Sequence, residues 1–205
     1  MNEMEAATME KKQHGSMGNW APYYDLLMTL MTLGREKKLR RLEVELARLK
    51  PGEKVLEIGC GTGSLTIAVK EQVGASGEAV GIDIAPEMAA RASKKAARKK
   101  IDVSIKTGSI ASIPFSDNYF NAVICSFMIF HMPEDVRIKG FKEILRVLRP
   151  EGRYFIFDGT TRNKQYDIRE LAPILKTNSF SDIEIGEARF MFMKGWFVRS
   201  KADKK

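Results

Sequence analysis

An apolar run, Val55-Leu56-Glu57-Ile58, breaks into three glycines spaced two apart in Gly59-Cys60-Gly61-Thr62-Gly63. A second apolar run, Ala79-Val80-Gly81-Ile82, then ends in an acid, Asp83, 20 residues after the last glycine. A strand feeding a glycine turn, then a helix, then a strand tipped by a carboxylate, is the layout of a nucleotide or nucleoside site. Glycine supplies positive φ and lets the backbone come close to a ligand. A carboxylate at that place can hold both hydroxyls of a ribose.

The rest of the chain keeps the alternation. Residues 1–19, polar and holding Gly15, Ser16 and Gly18, read as a disordered leader. Residues 20–205 read as one domain, whose first part, 20–50, is a helical lead-in broken near Gly34 and ended by Pro51-Gly52. Strands are expected over 55–58, 79–83, 103–106, 122–126 and 153–158, and helices over 64–72, 86–99, 134–148 and 168–175, the last carrying a disruptive Pro173. Runs at 183–186 and 190–198 are close enough to be antiparallel neighbours. The expected fold is therefore α/β: a doubly wound, Rossmann-like sheet of seven strands, mostly parallel, with an antiparallel C-terminal edge hairpin and helices on both faces. Ligands bind such sheets at the carboxyl ends of the strands, where the glycine turn, Asp83, Ser109 and the 125–131 segment all fall.

A chain of 205 residues supports one well-buried core. No run approaches the roughly 18 apolar residues that span a bilayer, and the polar, acidic start is unlike a secretory signal. Cys60 and Cys125, both at expected core or turn positions, form no disulfide framework and no zinc motif, so no metal is expected and a cytoplasmic location is. The net charge of +8 draws on Arg91, Lys94, Lys95, Arg98, Lys99 and Lys100. These read first as the solvated face of a helix, with peripheral contact to an anionic membrane as the second reading. Nucleic acid is disfavoured because no aromatics interleave with them.

Two cofactor classes use this layout. A dinucleotide wants G-x-G-x-x-G with its pyrophosphate on the helix N-terminus. Here Ser64 stands where the third dinucleotide glycine would be, no basic residue is expected by the turn to balance a pyrophosphate, and Glu57 precedes it. A carboxylate there repels a phosphate and suits a cation. S-adenosylmethionine (SAM) carries a sulfonium and an ammonium and no phosphate.

Leu56-Glu57-Ile58-Gly59-Cys60-Gly61-Thr62-Gly63 resembles the first motif of the class I SAM-dependent methyltransferases, and Val80-Gly81-Ile82-Asp83-Ile84-Ala85-Pro86-Glu87-Met88 resembles their second. Ile113 to Val123 is similar to the segment leading into their fourth strand, and Leu145 to Arg153 to the turn before their fifth. The four motifs occur in order, and the resemblance covers about residues 22–200. Within the family the small-molecule branch typified by the ubiquinone/menaquinone-biosynthesis methyltransferases is most similar.

The resemblance implies roles. Gly59, Cys60, Gly61, Thr62 and Gly63 would approach the methionine part of SAM, with Glu57 at its ammonium. Asp83 would take the ribose hydroxyls, Ile84 and Met88 would pack on adenine or ribose, and Gly108, Ser109 and Ile110 would lie at the adenine edge. Ser126 would close the site at the fourth strand. Two residues depart from the family pattern: Ser109 and Asn121, each where an aspartate is usual. Ser109 still accepts a hydrogen bond but without charge; Asn121 reads as structural.

His131 ends the fourth-strand segment, where an acceptor would meet the methyl group. It reads either as a general base, with an ordinary pKa of about 6.5, or as a hydrogen-bonding residue of the loop wall. Cys60 and Cys125 read as packed rather than nucleophilic. Trp20, Tyr23, Tyr24, Met28 and Met31 read equally as a lid over the site and as packing on the sheet. Met191, Phe192, Met193, Trp196 and Phe197 read as strand packing.

The function expected is transfer of the SAM methyl group, by in-line displacement, to a small hydrophobic acceptor of quinone-precursor or lipid type. Cys125-Ser126-Phe127-Met128 is not the Asn/Asp-Pro-Pro-Tyr run that serves amino-group methylation of bases. The alternatives are a SAM-binding protein without transferase activity and an NAD(P)-dependent oxidoreductase.

Overall fold

The computed structural model describes residues 23–159, 167–191 and 193–204, except for the side chains of His131 and Met193. The expected leader, Trp20, Pro22 and Phe192 lie outside the described residues. Helix α1 runs over 23–31, and α2 over Glu36–Leu46. Then come β1 (Lys54–Ile58), α3 (Ser64–Val73), β2 (Glu78–Asp83), α4 (Pro86–Lys99), β3 (Ser104–Thr107) and β4 (Phe120–Ser126). A 3-10 turn over Ile129–His131 precedes α5 (Glu134–Val147), β5 (Leu148–Gly159), α6 (Leu171–Thr177), β6 (Phe180–Phe190) and β7 (Met193–Ala202).

The seven strands form one sheet in the order β3-β2-β1-β4-β5-β7-β6. Neighbours from β3 to β5 are parallel, and β7 is antiparallel to both β5 and β6. The doubly wound sheet with an antiparallel edge is the architecture the sequence pattern predicts. Strand order reverses between β1 and β4, and that crevice is where a doubly wound sheet binds its ligand.

The period of two along each strand explains why the central runs are apolar throughout. Leu56, Ile58, Val80, Ile82 and Cys125 join Phe141, Ile144 and Tyr154 on one face. Val55, Ala79, Ile124 and Phe155 join Leu39, Leu65 and Val69 on the other. Asn121, read as structural, accepts the Lys54 N–H at 2.9 Å and ties the start of β1 to β4.

The largest departures from the sequence reading lie at β5 and at the terminal hairpin. Strand β5 begins at Leu148, so Pro150-Glu151-Gly152, expected as a turn, lies within its span, with Glu151 at φ 60° and a register shift opposite Phe120 and Ala122. The early start follows from Phe120 pairing with Leu148 as soon as α5 ends. The terminal hairpin is longer than its apolar runs because polar residues such as Glu184, Glu187 and Arg189 continue the ladder on the solvent side. Strand β6 therefore runs on to Phe190, and Met191, expected as strand packing, is exposed in a turn. Trp196 and Phe197 do pack on the sheet.

Candidate active site

The turn after β1 takes the shape its glycines allow: Gly59, Gly61 and Gly63 have φ of 70°, 51° and 78°. Side chains are excluded on two counts. A Cβ at Gly59 would lie 2.7 Å from Met128 Cε, and one at Gly63 would lie 2.8 Å from the Cβ of Ala92 on α4. Gly59 and Cys60 donate their N–H groups to the Ile82 carbonyl at 2.8 and 3.0 Å, which fixes the turn to the end of β2.

Asp83 completes that junction. Its Oδ2 accepts the Gly61 N–H at 2.8 Å and its Oδ1 accepts the Ala85 N–H at 2.9 Å. Burial raises its pKa; the two amide bonds oppose the rise without cancelling it. Each carboxylate oxygen keeps acceptor capacity beyond its one amide. Met88 is buried in a small cluster with Ala85, against which Tyr24 of α1 packs. Ile84 stands half-buried beside them.

Glu57 lies deeper, buried on β1, and accepts a short hydrogen bond from the Thr66 hydroxyl of α3. Burial pushes its pKa up to about 8; the Thr66 bond and the charge of Arg40 lower it, and Glu43 and Asp83 add to the rise. Burial therefore favours the neutral acid at Glu57, and a cation beside it would favour ionisation.

Next to it sits a buried ionic cluster that the sequence reading missed. Arg40 Nη1 lies 3.2 and 3.1 Å from the two carboxylate oxygens of Glu43, and its Nη2 lies 3.3 Å from Glu36. Ser126, at the tip of β4, donates to Glu43 at 2.6 Å and faces Arg40 at 3.5 Å. The spacing Glu36, Arg40, Glu43 was legible as helix ion pairs; that it faces inward at the tip of β4 was not.

Helix α1 crosses the glycine turn. The Tyr24 ring lies 3.7 Å from where a Cβ on Gly61 would be. Asp25 accepts from the Thr62 hydroxyl at 2.6 Å and from Lys95 Nζ at 2.8 Å. Lys95 also donates to Thr62 and Ser64 at 2.8 and 3.0 Å. This corrects two expectations. Lys95 is not part of a solvated basic face, and a cation does stand by the turn, brought there by α4 and neutralised by Asp25.

At the β3 end, Gly108 donates its N–H to the Asp83 carbonyl at 2.9 Å. The Ser109 hydroxyl accepts the Ala111 N–H at 3.2 Å. The Ile110 side chain is buried against α5, filling the notch at Gly140. His131 ends the 3-10 turn beyond β4, and its side chain lies outside the described residues. Burial pushes both the Cys60 and Cys125 thiols up, as packed cysteines require and nucleophiles do not.

The donor set suits an adenosine-bearing cation. A carboxylate with remaining acceptor capacity meets the glycine turn, a second acid lies behind it, and Lys95 beside the turn is already paired.

Comparison with known proteins agrees. The methyltransferase domain family matches residues 55–152. The chain is 33% identical over 151 residues to a demethylmenaquinone methyltransferase of Lactobacillus johnsonii, a match covering 73% of this chain and 61% of that protein. It is 36% identical over 146 residues to a ubiquinone/menaquinone biosynthesis C-methyltransferase of Citrifermentans bemidjiense, covering 70% and 61%. The chain thus spans about three fifths of the length of these curated relatives. In fold it is similar to a SAM-dependent methyltransferase of Aquifex aeolicus, with TM-score 0.73, 22% identity, and 90% and 98% of the two chains covered. It is also similar to a phosphoethanolamine N-methyltransferase of Haemonchus contortus solved with SAM, with TM-score 0.67, 18% identity, and 82% and 53% covered. Residues 55–152 thus match a methyltransferase domain, and the chain carries it on the strand order β3-β2-β1-β4-β5-β7-β6 with the glycine turn joined to Asp83.

Proposed function

We propose that this protein transfers the methyl group of SAM to a small, hydrophobic acceptor of quinone-precursor type. One observation carries the reading: Asp83 at the tip of β2 is hydrogen-bonded to the glycine turn at Gly61 and retains acceptor capacity for two hydroxyls. The similarity to quinone-pathway methyltransferases supports the acceptor class.

When bound, SAM supplies a methyl group activated by its sulfonium, which an acceptor takes by in-line displacement. The residues of this chain bind, orient and shield. Asp83 holds the ribose, and Gly59, Cys60, Gly61, Thr62 and Gly63 bring backbone close to the methionine moiety. Glu57 ionises to meet the ammonium. Ile84 and Met88 flank the nucleoside, with Gly108, Ser109 and Ile110 at its far edge. Ser126 fixes the β4 tip to α2, and Tyr24 shields the turn from water. Alignment and exclusion of water are the protein's share of such a reaction. His131 is placed in sequence to take a proton from the acceptor. The apolar surroundings of the β4 exit, Phe127, Met128 and Phe130, which pack on the core, suit an apolar acceptor.

The test incubates the protein with methyl-labelled SAM and a quinol lacking one ring methyl, dispersed in detergent. Label in the lipid-soluble fraction supports the reading. Label that binds and is displaced by S-adenosylhomocysteine, yet transfers to no lipid-soluble acceptor, identifies a binding protein instead. Tight NADH binding without SAM binding identifies an oxidoreductase.

A further inference from the structure

Helix α1 carries two apolar stripes, and the site uses only one. Tyr24, Met28 and Thr32, four residues apart, face inward: Met28 and Thr32 are buried and Tyr24 packs on the cofactor side. Tyr23, Leu26, Leu27, Leu30 and Met31 recur at three and four along the opposite side, and all are exposed. Tyr23 is 62% exposed, Leu26 59% and Leu30 64%, and Leu33 continues the patch at 63%. Of nine large hydrophobic side chains exposed among the described residues, six lie between 23 and 33. Scattered exposed apolar residues are ordinary; a contiguous patch on one helix marks an interaction surface.

Charge selects the partner. Between residues 23 and 46, which span both helices, the exposed charged residues are Arg35, Lys37, Lys38 and Arg41 and, in the last turn of α2, a single acid, Glu45. The other acids of that segment are paired: Asp25, half-exposed, binds Lys95 at 2.8 Å, and Glu36 and Glu43 bind Arg40. Lys37 lies 3.7 Å from Glu71, an exposed pair of small energetic consequence. An apolar helical stripe bordered mainly by cations is the signature of an interfacial helix on an anionic bilayer.

We propose that the outer face of α1, with the basic border on α2, docks this protein on an anionic lipid surface. Because the inner face of the same helix lies across the glycine turn, docking sets the cleft against the bilayer, where a lipid-soluble acceptor is dissolved. The inference deepens the proposed function and rests on it for the acceptor, but the surface itself is measured without turnover.

The experiment sediments the full chain with vesicles of phosphatidylglycerol and phosphatidylcholine in equal parts, and with vesicles of phosphatidylcholine alone, without SAM or acceptor. The protein is expected to bind the anionic vesicles, more weakly as salt rises, and to leave the neutral ones largely unbound. Leu26→Glu with Leu30→Glu should weaken binding roughly a hundredfold or more. Lys38→Gln with Arg41→Gln should weaken it about fivefold for each charge removed. All four side chains are exposed, so the thermal midpoint should be unchanged. Should the leucine pair fail to fold, the Lys38 and Arg41 pair still decides. Absence of binding to anionic vesicles, or binding that neither pair alters, overturns the proposal. So does a dimer, seen by ultracentrifugation and broken by the leucine pair, in a protein that ignores vesicles; α1 would then be a self-association face. Since methyl transfer to a detergent-dispersed quinol is assayed separately, failure of docking and failure of the functional reading are distinguishable.

Discussion

Lys95 Nζ on α4 lies 2.8 Å from Asp25 Oδ1 on α1, joining residues seventy apart across the lip of the glycine turn. The contact is reinforced by the Thr62 hydroxyl, which donates to the same carboxylate at 2.6 Å. Burial alone would raise the Asp25 pKa; the Lys95 and Thr62 bonds outweigh it and hold the carboxyl below its ordinary value. For such a depressed group, the stabilisation is present above the unfolded-state pKa and is lost as pH falls through the folded one. Because the Asp25 carboxylate is half-exposed, Lys95→Met should loosen α1 by only about 0.5–1 kcal/mol. Hydrogen exchange over 23–31 should quicken while exchange in β1 and β4 is unchanged. Equal protection of α1 in the variant would show that the ion pair does not hold the helix.

Glu57 gives the opposite pH dependence. Its folded pKa, pushed up to about 8 by burial, exceeds the unfolded value of about 4.5. Between those two pH values the unfolded chain ionises and the folded one does not, so this residue destabilises the fold progressively as pH rises. Glu57→Gln should leave the thermal midpoint near its wild-type value at pH 4 and raise it at pH 8. If Glu57 also meets the cofactor's ammonium, SAM affinity in the wild type should rise between pH 6 and 8 and be both weaker and flat in the variant. An unchanged midpoint at pH 8 would mean that Glu57 ionises freely in the fold.

The alternation of strands and helices, and the glycine turn followed by Asp83, were legible because both depend on short-range pattern: apolar runs, glycine spacing, one acid at a strand tip. Lys95 was not, because its basic neighbours Arg91, Lys94, Arg98 and Lys99 are exposed. Only the packing of α4 against Gly63, where Ala92 leaves no room for a Cβ, carries it to Thr62. The Arg40 and Glu43 pair was similarly opaque. A helix ion pair reads as surface by default, and only the docking of α2 beside Ser126 buries it. The outer stripe of α1 was legible as apolar, but the exposure that separates it from the inner stripe is a property of tertiary structure.

Gly63 tests how tightly α3 and α4 are matched. It caps α3 at φ 78°, and an added Cβ would meet the Ala92 Cβ at 2.8 Å and the Ala92 Cα at 3.2 Å. Gly63→Ala combines a left-handed backbone penalty of about 1–2 kcal/mol with overpacking of about 1–3 kcal/mol. Denaturant unfolding should show a loss in the range of about 2–5 kcal/mol. Adding Ala92→Gly should restore the steric part alone, so the double variant should be more stable than the sum of the single losses. Strict additivity would place the strain elsewhere.

Asp83→Asn separates a structural from a ligand-binding role. The carboxylate accepts two backbone N–H groups, from Gly61 and Ala85, and an asparagine amide presents one acceptor oxygen and one donor nitrogen. One of the two N–H groups would then face a donor, at a cost of about 1–3 kcal/mol, visible as a lowered thermal midpoint. Loss of the ribose contact should weaken S-adenosylhomocysteine binding by roughly a further tenfold or more. An analogue lacking both ribose hydroxyls distinguishes the two effects. If Asp83 binds through those hydroxyls, the wild type should lose affinity for the analogue, and the variant should treat the analogue and the parent ligand nearly alike. If the variant discriminates between them as strongly as the wild type does, Asp83 serves the turn and not the ribose.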